Sequence, residues 1–129
     1  MWNLQRKLDR GIILSALVIS FFDREPQSPE RKIELEDLSK KLAELMDAQI
    51  IDLSDFDISP GGEYSDDIAR FVGNYLLAGY AEKRSPLIFF PTGLDMCRSN
   101  LRRGKDDPGK SEELKKIANF LHIDLNKIN

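Results

Sequence analysis

Four acidic residues stand close together in the chain and are the first candidates for chemistry. Asp52, Asp55 and Asp57 form a D-x-x-D-x-D pattern, and Glu63 follows them. Carboxylate oxygens are the ligands that Ca²⁺ and Mg²⁺ prefer in proteins. The pattern lacks the glycine that an EF-hand loop needs at its sixth position. We therefore interpret it as a solvated acidic loop and predict no metal and no cofactor.

The other reactive side chains are few, because the chain has one cysteine and one histidine. This composition excludes a thiolate zinc cage and an internal disulfide. We interpret Cys97 as a buried, inert thiol and His122 as a surface or capping residue. Ser59-Pro60-Gly61-Gly62 lacks the lysine of a phosphate-binding loop and is predicted to be a turn. These residues predict a protein that is not an enzyme.

A local cluster of positive charge lies in the second half of the chain. Residues 81–105 hold six basic and two acidic residues, a net charge of +4, within a chain whose net charge is -3. The cluster would either contact a phosphate backbone or form the solvated end of a helix, where cations interact favourably with the negative end of the helix dipole. The candidate phosphate contacts are Lys83, Arg84, Arg98, Arg102, Arg103 and Lys105.

The length and composition predict one domain over residues 1–129. A chain of 129 residues with 41% hydrophobic and 32% charged residues can bury a core beneath a solvated surface. The acidic net charge excludes a protein that coats nucleic acid through its overall charge. Within the domain we distinguish an apolar N-terminal helix over 1–22, a helix-helix-wing-helix unit over 33–103 and a C-terminal helix over 111–128.

Hydrophobic periodicity and helix-capping residues define the elements. Ser65 and Gly79 mark the start and end of a central helix. Thr92 and Ser111 are expected to cap the next two helices, and Gly104 is expected to stop the first of these. The predicted elements are helices over Leu4–Phe22, Ile33–Ala48, Ser65–Ala78 and Thr92–Arg103, a final helix from Ser111, a short strand at Ile50–Leu53, and a hairpin of Tyr80–Arg84 with Leu87–Phe90.

The first predicted helix is apolar on nearly every side of its C-terminal half, and we expect close packing at its Gly11. The apolar run Ile12–Phe22 has 11 residues, against about 20 that cross a bilayer, and no small-residue cleavage site follows it. We therefore predict a cytoplasmic protein without membrane contact. The helix is covered either by the chain's other helices or by a partner, and the candidate partner contacts are Trp2, Leu4, Leu8, Ile12, Phe21 and Phe22.

Residues Leu35–Arg103 resemble a winged-helix domain. A helix that ends in Leu77-Ala78-Gly79-Tyr80, a two-stranded wing and a helix opened by Thr92-Gly93 carry the resemblance. The resemblance implies that Ser65–Ala78 takes the recognition-helix position and that Tyr80–Phe90 forms the wing. The expected fold class is therefore mainly α with a small β-hairpin, winged-helix-like.

The chain departs from DNA-reading winged helices at one point. Sixteen residues separate Ala48 from Ser65, whereas such domains join the two helices by a tight turn. The first turn of the recognition-like helix is also acidic, and only Arg70 and Asn74 on it could reach a base edge. These features weaken the expectation of DNA reading.

The chain is also similar to the short middle-component proteins of bacterial defence systems built around an SMC-like or ABC-type ATPase, such as Lamassu. The similarity lies in its size, in the start Leu8-Asp9-Arg10-Gly11-Ile12-Ile13-Leu14, and in the helix and wing from Asp66 to Phe90. It implies a non-enzymatic adaptor with ATPase and effector partners and weak contact with nucleic acid. The alternative is a winged-helix transcriptional regulator that forms a homodimer through the first helix.

Overall fold

Five α-helices and three short strands form the fold of the residues that the structure describes. The computed structural model describes residues 10–22, 31–50, 53, 56–82 and 87–128. A short 3-10 helix, Leu125–Lys127, ends this part of the chain. The elements are α1 Arg10–Phe22, β1 Arg31–Ile33, α2 Leu35–Asp47, α3 Asp66–Leu77, β2 Ala81–Glu82, β3 Leu87–Phe89, α4 Pro91–Asp106 and α5 Ser111–Leu121.

The predicted fold class, mainly α with a small antiparallel hairpin, is confirmed. β2 and β3 form the hairpin, with Ala81 opposite Phe89. The sheet has a third strand that the sequence reading missed, because β1 pairs antiparallel with β3 and gives the order β1-β3-β2. Residues 31–33 are therefore a strand, and α2 begins at Leu35 instead of Ile33.

Local capping chemistry fixes both ends of α3 where the sequence predicts them. The Ser65 hydroxyl accepts a hydrogen bond from the Ile68 N–H, which satisfies one of the free donors of the first turn. Gly79 takes a left-handed conformation with φ +79°. The Tyr80 N–H then donates to the Tyr75 carbonyl oxygen at 2.9 Å, the long bond of a Schellman motif.

Three other predicted boundary signals have different roles in the structure. α4 begins at Pro91, whose fixed φ suits the first helical position, so Thr92 lies inside the first turn and does not cap it. α4 also runs past Gly104 to Asp106. Ser111 is the first residue of α5 and makes no capping hydrogen bond, because Lys110 holds the cap position.

The predicted strand Ile50–Leu53 is described only at its two ends. Neither Ile50 nor Leu53 is in a strand, and the residues between them lie outside the described part.

α1 lies at the centre of the hydrophobic core. It contacts α2, α3, α4 and α5, and Ile12 and Phe22 near its ends are both buried. α4 approaches it closely at Gly104, where an added Cβ would lie 3.1 Å from Ile12 Cγ2 and from Leu114 Cδ2. The close packing predicted at Gly11 is absent among the described residues, since an added Cβ there would meet none of their atoms within 4 Å. The helices of this chain therefore cover the described part of α1.

The length of α1 also bears on membranes. It has 13 residues, about 20 Å at 1.5 Å per residue, against a hydrocarbon core of about 30 Å. Among the helices of the described residues, none has the length and apolar character to cross a bilayer.

Candidate functional site

The outer side of α3 is an open surface that begins at an exposed Asp66. Arg70, Asn74 and Leu77 follow one another at four- and three-residue steps and are all exposed, which places them on one side of the helix. Leu77 is 90% exposed, far more than any other large hydrophobic residue that is described. Gly73 lies on the same side, and an added Cβ there would meet nothing within 4 Å. We call this surface the α3 outer face.

The inner side of α3 is held at its first turn by a buried carboxylate. Asp67 Oδ1 lies 3.0 Å from an Arg10 guanidinium nitrogen, and its side chain is 7% exposed. The other carboxylate oxygen accepts a hydrogen bond from the Asp57 N–H at 2.7 Å. The Arg10 guanidinium also lies over the Phe56 ring, 5.6 Å from its centroid. Asp67 thus ties the start of α1 and the preceding loop to α3.

The acidic residues before α3 interact with one another. A hydrogen bond to Asp66 raises the pKa of Asp57 above its ordinary value, and burial and the nearby charge of Asp66 add to the rise. A hydrogen bond to the same carboxylate raises the pKa of Tyr64. Asp52 and Asp55 of the predicted acidic pattern lie outside the described residues. Among the residues that are described, no group of acidic, histidine or cysteine side chains has the arrangement of a metal site.

The predicted turn and capping residue lie where the sequence places them. In the Ser59-Pro60-Gly61-Gly62 turn, the Gly62 N–H donates to the Ser59 carbonyl oxygen at 2.8 Å. The Ser59 hydroxyl also accepts hydrogen bonds from the N–H groups of Glu63 and Tyr64. His122 is exposed and ends α5 in a left-handed conformation with φ 59°.

Of the six cations predicted to contact phosphate, four are described, and three of these contact groups of the chain itself. Arg98 forms an ion pair with Asp95 at 3.3 Å, and Lys105 Nζ donates to the Leu125 carbonyl oxygen at 3.3 Å. Arg103 donates to the side-chain oxygen of Asn100, whereas Arg102 is exposed on α4. Lys83 and Arg84 lie outside the described residues.

The helical period of α4 places these cations on two sides of the helix. Arg98, Arg102 and Lys105 lie along one side of the helix, and Arg103 lies about 100° around the axis from Arg102. Because α4 continues to Asp106, a carboxylate follows one turn after Arg102 on the same side. The α4 surface is therefore a mixed-charge surface and not a continuous basic patch.

A buried polar network joins α1, α3 and α4. The Asn100 side-chain amide donates to Ser15 Oγ at 2.9 Å and to the Tyr75 hydroxyl at 3.4 Å. The Cys97 thiol donates to the same hydroxyl at 3.4 Å. Burial raises the pKa of Tyr75, and burial raises the pKa of Cys97 to about 11. Cys97 is therefore a protonated structural thiol at neutral pH, as the sequence predicts.

The candidate partner contacts of the first helix divide into two groups. Trp2, Leu4 and Leu8 lie outside the described residues, and their role in an interface stays a prediction. Ile12 and Phe22 are buried in the chain's own core, so neither is a surface residue of this chain. Phe21 is partly exposed, with the Lys41 ammonium 5.8 Å from its ring centroid.

Sequence reasoning missed two features of the site. It assigned no role to Leu77, although the helical period places this residue with Arg70 and Asn74 and apart from the buried Val72 and Tyr75. That spacing was the available signal. It also missed the buried network, because the members come from three distant segments whose packing no local pattern predicts.

Compared with protein-family models, with curated proteins and with solved structures, the chain has no match.

Proposed function

We propose that the protein is a non-enzymatic adaptor that binds a partner protein through the α3 outer face. The exposure of Leu77 carries the proposal, since a leucine 90% exposed on an ordered helix gains nothing from its own fold. Open space at Gly73 lets another backbone come close to the helix at this point. Asp67 and Tyr75 meanwhile fix the inner side of α3, so the outer face is presented on a firmly held element.

The charge distribution supports a protein partner over a nucleic acid. Asp66 lies at the start of the α3 outer face, and Arg70 is the one cation on α3. A polyanion would bring phosphates toward the carboxylates of Asp57, Glu63 and Asp66. Three of the cations of α4 already contact protein groups. A protein surface can match this mixed pattern, which a uniformly negative backbone does not.

The proposed partners are an ATPase and an effector. The similarity to middle components of Lamassu-type systems suggests an SMC-like or ABC-type ATPase and an effector as partners, in the cytoplasm. The test is to examine the neighbouring genes for an ATPase and an effector, to express the chain with their products, and to measure the mass of the complex by light scattering after gel filtration. A chain that elutes alone beside both proteins contradicts this assignment.

The role of the α3 outer face is tested with matched leucine variants. Leu77→Ser should reduce the fraction of the chain that is bound to the ATPase or the effector at least tenfold. It should leave the melting temperature of the chain within a degree or two of the wild type, because the side chain is exposed. Leu35→Ser is the control, since Leu35 is 38% exposed on another helix. Equal binding by the two variants would exclude the α3 outer face as the docking surface.

A DNA-binding regulator is the second candidate, and two observations favour it. The order of helices and strands, with β1 added to the hairpin, is compatible with a winged-helix arrangement. Arg70 and Asn74 are both exposed on α3. Duplex DNA titrated at low salt distinguishes the candidates, because the regulator requires binding that weakens with salt and with Arg70→Gln. The absence of duplex binding at low salt excludes the regulator, whereas the adaptor is compatible with weak contact through the wing that Arg70→Gln leaves unchanged.

A further inference from the structure

Tyr75 provides the polar tie between the C-terminal half of α3 and the core. Its hydroxyl accepts hydrogen bonds from Asn100 and Cys97, both on α4. The second N–H of the same Asn100 amide reaches Ser15 Oγ on α1. Ser15 and Cys97 are fully buried and Asn100 is 7% exposed. The hydrogen bond from Asn100 to Tyr75 therefore depends on how this amide is oriented.

Arg103 contacts the Asn100 amide from the surface. With both N–H groups of Asn100 donated inward, its side-chain oxygen points to Arg103, which donates to it. A guanidinium only donates hydrogen bonds, so it accepts one orientation of the amide and disfavours the reverse. Arg103 itself is exposed, one turn from the end of α4. A surface side chain thus closes a network that is otherwise buried.

We propose that Arg103 is a positioning residue, which holds α3 in place through Asn100 and Tyr75. Without its donor, the Asn100 oxygen either stays buried without a partner or turns inward. Turning inward would place this oxygen against the Ser15 and Tyr75 hydroxyls, which would have to rotate and donate to it in place of their present hydrogen bonds. Both outcomes disrupt the present hydrogen bonds around Tyr75. An effect of Arg103 on partner binding rests on the proposed function, because α3 carries the proposed docking surface.

Amide hydrogen exchange of the full chain, measured by NMR, tests the proposal without a partner. Arg103→Met removes the donor and keeps most of the aliphatic stem. It should raise the exchange rates of the amides of Val72–Leu77 about tenfold, the size expected when a buried acceptor loses a charged donor. Amides of α5 should change less than about threefold. Arg103→Lys keeps an N–H donor and should restore most of the protection.

Two comparisons make the proposal falsifiable. Arg102→Met is the matched control, since it removes the neighbouring exposed cation and should leave α3 exchange within about twofold. In a Tyr75→Phe background, Arg103→Met should add no further increase in α3, because the relay is already cut. Three results would each overturn the role of Arg103. The first is equal exchange of the α3 amides in the Arg102→Met and Arg103→Met variants, and the second is no recovery of protection in Arg103→Lys. The third is a full effect of Arg103→Met in the Tyr75→Phe background. Failure here leaves the Leu77 test unaffected.

Discussion

α3 and α4 flank the same hairpin, but they are held in different ways. α4 is packed on its inner side at Gly93 and Gly104, and three of its outer cations contact Asp95, Asn100 and the Leu125 carbonyl. α3 is held on its inner side by Asp67 and Tyr75, while its outer side carries an open glycine and an exposed leucine.

This difference separates residues that the fold needs from residues that it does not. The charges of α4 were the functional candidates from sequence, yet most of them now have structural contacts. On the α3 outer face the sequence pointed to Arg70 and Asn74 as candidate base contacts and gave Leu77 no binding role, yet the exposed side chains of this face contribute little to folding. A surface that folding does not constrain is free to be selected for binding, whereas a surface engaged within the chain carries a stability cost when it changes.

The largest expected effect is at the start of α4. Gly93→Ala would place a Cβ 2.2 Å from the Tyr80 carbonyl oxygen, which also accepts a hydrogen bond from the Phe90 N–H at 3.0 Å. Because backbone must move to relieve this overlap, we expect a loss of about 3 kcal/mol or more in the free energy of unfolding. Urea unfolding followed by circular dichroism measures it.

Gly104→Ala provides the graded comparison for this prediction. Its added Cβ would lie 3.1 Å from side-chain carbons of Ile12 and Leu114, which can shift where a carbonyl oxygen of the backbone does not. The expected loss is about 1–3 kcal/mol. If Gly93→Ala costs no more than Gly104→Ala, the tight approach of α4 to Tyr80 is wrong.

The second effect concerns the reactivity of the thiol in the buried network. Cys97 is fully buried and its pKa is raised to about 11. At pH 8 the thiolate fraction is therefore about one in a thousand. We expect alkylation in the native state to be at least a hundredfold slower than in urea. Alkylation at equal rates in both conditions would contradict the burial of the network.

Sequence predicts the bounds of α3 well and those of α4 less well, for a physical reason. Ser65 and Gly79 act through hydrogen bonds to their own helix, so their roles are local and visible in the chain. Thr92 and Gly104 carry similar local signals but have other roles. Pro91 is the first residue of α4, and Gly104 lies inside the helix in close contact with α1 and α5.

The missed elements share a non-local cause. β1 has only three residues and becomes a strand by pairing with Leu87–Phe89, more than fifty residues later. The contact between Arg103 and Asn100 links near neighbours, but its importance depends on Ser15 and Tyr75 from other helices. The tertiary partners, and not the local sequence, decide these roles.

The third prediction concerns one glycine inside α3 and one just after it, both with open space where a Cβ would be added. Gly73 is inside the helix, so Gly73→Ala should raise the free energy of unfolding by about 1 kcal/mol. Gly79 has φ +79°, so Gly79→Ala should lower it by about 1 kcal/mol through backbone strain. Thermal unfolding of both variants measures the two signs. Loss of stability in Gly73→Ala would mean that the outer face of α3 is packed.

The smallest effect is a pH dependence at the start of α3. The folded-state pKa of Asp57 is raised by its hydrogen bond to Asp66, so the folded state binds this proton more tightly than the unfolded chain does. The stabilisation is fully present below the ordinary pKa of 3.8 and is lost as the pH rises through the raised value. Asp57→Asn keeps an N–H donor toward Asp66 and does not titrate. Its melting temperature should therefore exceed that of the wild type at pH 7, and the difference should shrink toward pH 3.

A second variant identifies the source of this dependence. Asp66→Asn removes the charged acceptor, so in that background Asp57→Asn should change the melting temperature by nearly the same amount at both pH values. A pH dependence that persists without Asp66 would assign the raised pKa of Asp57 to burial and to the charge of Asp67, which also contribute to it. Because the Asp67 carboxylate is held on the inner side of α3 by Arg10 and by the Asp57 N–H, the two backgrounds separate the exposed contact with Asp66 from the buried one.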